Sequence, residues 1–239
     1  MKYLTIDTTT RVTALALAAD GRLVGEGFLH SERTHSERLL PLLDQLLQAA
    51  DWRLADLDLI AVVRGPGSFT GIRIGIATAQ GLAQVLSLPL LGIVSLDALA
   101  WAACGREGLI VPLLDARKNE WYTGIYRWDP RRQHPFAVRP PQAHTPQALV
   151  SELEHGKEPI WFVGDAVVKA EAFLRDNLGE RAHILPDYVS LPRGAYAVKA
   201  AWDRWQEGTA GETVEPLYLR LSEAEVNWAK KEQARRKGQ

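Results

Sequence analysis

GPGSFTGIRIG, Gly65 to Gly75, follows the apolar run LDLIAVV (Leu57 to Val63) and leads into a segment of helical periodicity. A glycine-rich turn between strand and helix first suggests a phosphate loop. Such a loop needs Gly-x4-Gly-Lys-Ser/Thr, in which the Lys neutralises the phosphates and the hydroxyl reaches a metal. Here five residues separate Gly65 from Gly71, and Ile72 stands where the Lys belongs. Free N–H groups at a helix start could still draw an anion, but the helix explains the glycines better. Phe69, Ile72, Ile76, Ala79, Ala83 and Leu86 form one apolar face. Gly71, Gly75, Thr78, Leu82 and Val85 form a second, leaving Arg73, Gln80, Gln84 and Ser87 as a polar stripe. A helix apolar around most of its circumference is covered on two sides. Gly inside a helix costs about 1 kcal/mol relative to Ala, and close approach of another helix offsets that cost. The expectation is a subunit interface on the second face, the alternative being packing within the same domain. Ser68 reads as the helix cap, since no Gly-x-Ser-x-Gly elbow is present.

On either side of this helix, Leu59 to Val63 and LPLLGIV (Leu88 to Val94) are continuous apolar runs, the pattern of strands covered on both faces. Together they give a βαβ unit. Upstream, Tyr3 to Ile6, Val12 to Ala18 and Leu23 to Leu29 read as a three-stranded meander, with Asp20-Gly21 supplying its second turn. Leu39, Leu43, Leu46 and Ala50 then fall at helical spacing, widened by Leu40 and Leu47. Thr34 and Glu37 suit a capping box, whereas Pro41 favours a later start.

The pattern restarts near residue 105. Leu109 to Leu114 ends in Asp115, a polar turn follows, and EWYTGIYRW alternates like a strand. Tyr3 to Ile6, ending in Asp7 before the turn TTTR, is its counterpart 108 positions earlier. The repeat implies two related lobes, residues 1–107 and 108–220, the last helix of the second (Ala195 to Trp205) being free to pack back on the first. Arg131 to Pro146, rich in Pro and basic residues, reads as a loop excursion, and 221–239 as a basic, flexible tail.

Charge and composition exclude several classes. With 28 basic and 29 acidic residues there is no broad field to draw the chain onto nucleic acid or an anionic membrane. No stretch is long and apolar enough to span a bilayer. The start MKYLTID lacks a signal-peptide core, and the single Cys104 excludes an internal disulfide; both fit the cytoplasm. The six histidines, at 30, 35, 134, 144, 155 and 183, form no metal-binding pair, so no metal site is expected. Asp7 with Thr8 to Thr10 could hold a metal–phosphate, but such a turn more often satisfies its own backbone.

In combination, IDTTT (Ile6 to Thr10), HSERLLP (His35 to Pro41), GPGSFTGIRIG, VSLDALA (Val94 to Ala100), DAR (Asp115 to Arg117) and PLYLR (Pro216 to Arg220) closely resemble the TsaB (YeaZ) family. These are bacterial accessory subunits for threonylcarbamoyl-adenosine synthesis on tRNA. The resemblance implies an α/β, two-lobe fold of the actin and sugar-kinase ATPases, each lobe a mixed sheet flanked by helices. It implies a heterodimer with the TsaD-type catalytic subunit through helices at about 36–50 and 69–86, carried by His35, Leu39, Leu42, Leu43, Leu46, Gly71, Gly75, Thr78 and Leu82. Asp7, Thr8, Thr9 and Asp115 become vestigial phosphate-loop positions, and no residue is catalytic. A TsaE-type ATPase and tRNA engage the assembly, and a homodimer forms when the partner is missing. The isolated subunit takes no cofactor; ATP and metal belong to the partner subunits. The family's usual Asp-Thr-Ser is here Asp7-Thr8-Thr9, which keeps the hydroxyl. Two rivals remain: a kinase of the same fold, for which only Gly164-Asp165 approximates an adenosine loop, and a peptidase-like protein, which lacks both a metal site and an activated nucleophile.

Overall fold

The computed structural model describes residues 1–31, 34–209 and 213–220. The first five strands are β1 (Lys2–Asp7), β2 (Val12–Ala19), β3 (Arg22–His30), β4 (Leu59–Val63) and β5 (Leu90–Ile93), and they form one sheet in the order β3-β2-β1-β4-β5. The meander pairs antiparallel, whereas β4 and β5 join parallel to β1, as their unbroken apolar runs require. Helices α1 (His35–Ala49) and α2 (Phe69–Leu86) cover one face, burying Leu4, Ile6, Leu15, Ile60 and Val62.

After α3 (Ser95–Ala100) come β6 (Leu109–Asp115), β7 (Trp121–Asp129), β8 (His134–His144), α4 (Pro146–Leu153), β9 (Ile160–Val163), α5 (Val167–Leu178) and β10 (Ala182–Ile184). The second sheet has the order β10-β9-β6-β7-β8, which read from β8 repeats the first strand for strand. Asp7 and Asp115 end the corresponding strands β1 and β6. The duplicated mixed sheet flanked by helices is the two-lobe α/β actin/sugar-kinase-like fold. After α6 (Asp187–Ser190), α7 (Gly194–Gln206) packs Ala197, Val198 and Ala201 against Tyr3, Ala16 and Ala61 on the other face of the first sheet. A third cluster joins the lobes: Leu96, Leu99 and Ala100 of α3 meet Ile110, Leu114 and Tyr126, and the Tyr126 hydroxyl donates to Asp97 at 2.7 Å.

Two local expectations change. The excursion at 131–146 contains an eleven-residue strand, β8, paired antiparallel with β7. Pro135, Pro140 and Pro141 are tolerated because β8 is the edge of its sheet and can do without inner donors. Helix α1 starts at His35 and carries Pro41 inside it, and the Thr34 side chain makes no cap bond. The tail at 221–239 lies outside the described residues.

Candidate functional site

The family resemblance casts Asp7, Thr8 and Thr9 after β1, and Asp115 at the end of β6, as vestigial phosphate-loop positions. The Asp7 turn here is spoken for by its own chain. Asp7 is 3% exposed and its Oδ1 accepts from the Thr9 N–H at 2.8 Å and the Thr9 hydroxyl at 2.7 Å. Burial pushes the Asp7 carboxyl up from 3.8, with the two Thr9 bonds working against the rise. Thr8 donates its hydroxyl to the Gly71 carbonyl at 2.7 Å, and Thr10 accepts from Val12 N at 3.1 Å.

What fills the turn is the Gly65–Gly75 stretch. Ser68 N donates to the Thr9 carbonyl at 2.6 Å, and Ser68 caps α2 by accepting from Gly71 N. A Cβ on Gly71 would stand 1.9 Å from the Thr8 carbonyl oxygen, on Gly67 2.2 Å from that of Thr9, and on Gly75 2.4 Å from Thr8 Oγ1. The glycines therefore let α2 butt against the hairpin turn of its own lobe. Three N–H groups at this helix start are already spent: Ser68 on the Thr9 carbonyl, Gly71 on the Ser68 hydroxyl and Ile72 on the Ser68 carbonyl.

This corrects the assignment of Gly71 and Gly75 to a partner surface: both are buried on the inner side of α2. In α1, Leu39 and Leu43 belong to the core, while Leu42 and Leu46 lie over Gly27 and Gly25 of β3. His35 is also committed. Its Nε2 lies 2.9 Å from the Thr10 carbonyl, which can only accept, so Nε2–H donates and Nδ1 accepts from the Thr13 hydroxyl at 2.7 Å. The ring thus pins the start of α1 to the Asp7 turn, and burial holds its pKa below 6.5. Thr78 and Leu82 are half-buried on the flank of α2.

The solvent side of α2 is a different set. Thr70, Arg73, Ala77, Gly81, Gln84 and Val85 are exposed, Val85 at 83%, and a Cβ on Gly81 would meet nothing within 4 Å. Leu40 of α1, 53% exposed, lies on the same layer. Sequence periodicity held a usable signal for this stripe, because Arg73, Ala77 and Gly81 recur every fourth residue.

The second turn is built differently. Asp115 is exposed, with its Oδ1 accepting from Arg117 N at 2.7 Å and its own N–H donating to Asp165 at 3.0 Å. Arg117, Lys118 and Asn119 all have left-handed φ, and Arg220 donates to the carbonyls of Ala116 and Arg117. Asp7 and Asp115 occupy equivalent places without forming a shared cluster, and no group of three His, Cys, Asp or Glu suited to a metal occurs among the described residues. No helix among them is long and apolar enough to cross a membrane.

Comparison with known proteins places this architecture. A family model described as TsaD, tRNA N6-adenosine threonylcarbamoyltransferase, matches residues 29–228. The tRNA threonylcarbamoyladenosine biosynthesis protein TsaB of Bacillus subtilis is 32% identical over 228 residues, covering 95% of this chain and 98% of its own. The TsaB of Haemophilus influenzae is 32% identical over 240 residues, covering 96% and 97%. The solved structure of YeaZ from Pseudomonas aeruginosa superposes with a TM-score of 0.74 at 28% identity, covering 91% of this chain and 99% of that one. By the family model the chain falls in the broad TsaD group, and by its full-length likeness it belongs to the TsaB (YeaZ) family of tRNA threonylcarbamoyladenosine biosynthesis proteins.

Proposed function

We propose that the chain is a non-catalytic subunit of the assembly that transfers a threonylcarbamoyl group to the adenosine 3′ of the anticodon, in tRNAs reading codons that begin with A. It binds a TsaD-type catalytic subunit through the outer faces of α1 and α2. A TsaE-type ATPase and tRNA are engaged by the assembly, and the same face pairs two copies when the catalytic subunit is missing. The observation that carries this reading is the exposure of Ala77, Gly81 and Val85 (83% exposed) among the polar residues on the outer side of α2, in a helix whose opposite side is sealed into the lobe. Uncovered apolar helix surface of that kind marks an association site. The lack of catalysis is supported by the Asp7 turn, whose hydrogen-bonding groups are spent on Thr9 and on Gly71.

The partner-binding residues are accordingly re-sited to Leu40, Ala77, Gly81 and Val85, with Thr78 and Leu82 at the margin. Val85→Asp places a charge at the C-terminal end of that surface and nothing inside the fold. The variant is expected to melt as the parent does and to elute apart from the TsaD-type subunit in size-exclusion chromatography. Coelution at unchanged affinity would remove α2 from the interface. Turnover of ATP by the purified chain that is lost on Asp7→Ala would overturn the non-catalytic role.

A further inference from the structure

In the second turn of α2 a guanidinium is held in place and left open. Arg73 Nε–H donates to the Tyr218 hydroxyl at 3.0 Å, and its Cζ lies 3.9 Å from the centroid of the Phe69 ring. Phe69 and Tyr218 are themselves stacked, with centroids 4.7 Å apart. Tyr218 is fixed from both sides: Leu217 N donates to the Arg64 carbonyl at 2.8 Å, and Arg220 is tied to Ala116 at 2.7 Å. Arg73 thus keeps one orientation, while its two Nη groups have no hydrogen-bond partner or carboxylate within 4.0 Å among the described residues. Holding a long cation still before binding removes an entropic cost that a mobile Arg would incur on docking. The guanidinium fork matches the two oxygens of a carboxylate.

Arg73 also stands at the head of the exposed line that runs through Ala77 and Gly81. We infer that Arg73, oriented by Phe69 and Tyr218, is the charged specificity contact of the α2 surface and receives an Asp or Glu side chain of the catalytic subunit. This rests on the reading of α2 as the partner surface. A protein carboxylate fits better than an RNA phosphate, because the line continues in Ala77 and Gly81, which admit a closely packed helix and offer an RNA backbone neither donors nor charge.

Binding to the purified TsaD-type subunit at low and high ionic strength, alongside thermal melting and titration with tRNA alone, tests the inference. Arg73→Gln should weaken binding about tenfold at low salt and remove most of the salt dependence, with no change in melting. Tyr218→Phe, which keeps the stack and loses the hydroxyl, should weaken binding by roughly threefold. If Arg73→Gln binds like the parent with the same salt slope while Val85→Asp abolishes binding, the inference fails and the partner surface stands. If neither variant alters binding, both fail. A melting temperature that falls with Arg73→Gln in step with affinity assigns Arg73 a structural role and overturns the inference, as does tRNA binding by the free chain that Arg73→Gln abolishes.

Discussion

The two hairpin turns stand at the same place in two sheets of the same topology, yet one is sealed and the other is open. Five residues, Arg64 to Ser68, separate β4 from α2, whereas three, Gly164 to Ala166, separate β9 from α5. The longer connection carries the start of α2 to Thr8 and Thr9, beyond the end of β1. In the second lobe the corresponding contacts reach no further than β6 itself: Ala166 N donates to the Leu113 carbonyl at 3.3 Å, Gly164 packs over Leu113, and Asp165 accepts from Asp115 N at 3.0 Å. The fold alone does not decide what a turn does. Two residues of linker and a few glycines convert a potential ligand cradle into a packing joint.

Adding side chains at that joint should break the comparison most strongly. Gly71→Ala puts a Cβ 1.9 Å from a backbone oxygen that cannot swing away. The loss of stability is expected to reach at least about 3 kcal/mol, the upper end of ordinary overpacking, despite the roughly 1 kcal/mol that Ala gains over Gly in a helix. Gly81→Ala, in open space on the same helix, should keep that gain and melt higher. Chemical denaturation of the two variants reads the difference directly.

The buried carboxylate offers a second contrast. Asp7→Ala leaves the Thr9 N–H and hydroxyl without an acceptor in the dry joint, a loss of about 1–3 kcal/mol for an unsatisfied group. Asp115→Ala removes an exposed acceptor whose donor water can serve, and the expected change stays within about 0.5 kcal/mol. Equal losses at the two positions would show that the turns are not differently packed.

A smaller effect should appear with pH. Burial depresses the His35 pKa below 6.5, so the unfolded chain takes up the proton more readily than the folded one. His35 stabilisation is then complete above about 6.5 and is lost as the pH falls from there through the lower folded value. Asp203 contributes the opposite sign. Burial raises its carboxyl from 3.8 to about 6, against the pull of His134, so its share of stability grows as the pH falls through that range. Comparing melting of His35→Gln with the parent over this window isolates the histidine: the parent should lose more on acidification.

How much of this was readable beforehand follows the strength of each local signal. The runs at 59–63 and 88–94 and the spaced Asp7 and Asp115 exposed the βαβ unit and the repeat, because full burial and strand ends leave marks on composition. Strand β8 was hidden by prolines that only its edge position excuses. In α2, periodicity defined the apolar faces but could not say that Gly71 and Gly75 meet Thr8, since that contact depends on where a turn 63 residues earlier lies in space. His35, Leu39 and Leu43 take a partner role from the family resemblance alone, whereas the every-fourth-residue line through Gly81 stood in the sequence unread.

The central claim, that α2 turns one glycine inward to its own hairpin and another outward to a partner, is tested most directly by measuring melting and affinity for the TsaD-type subunit on Gly75→Leu and Gly81→Leu together. Gly81→Leu should melt at or above the parent temperature and lose binding at least about tenfold. Gly75→Leu should melt well below it, because its Cβ would meet Thr8 Oγ1 at 2.4 Å. A stable Gly75→Leu that fails to bind, beside a Gly81→Leu that binds like the parent, would contradict the account.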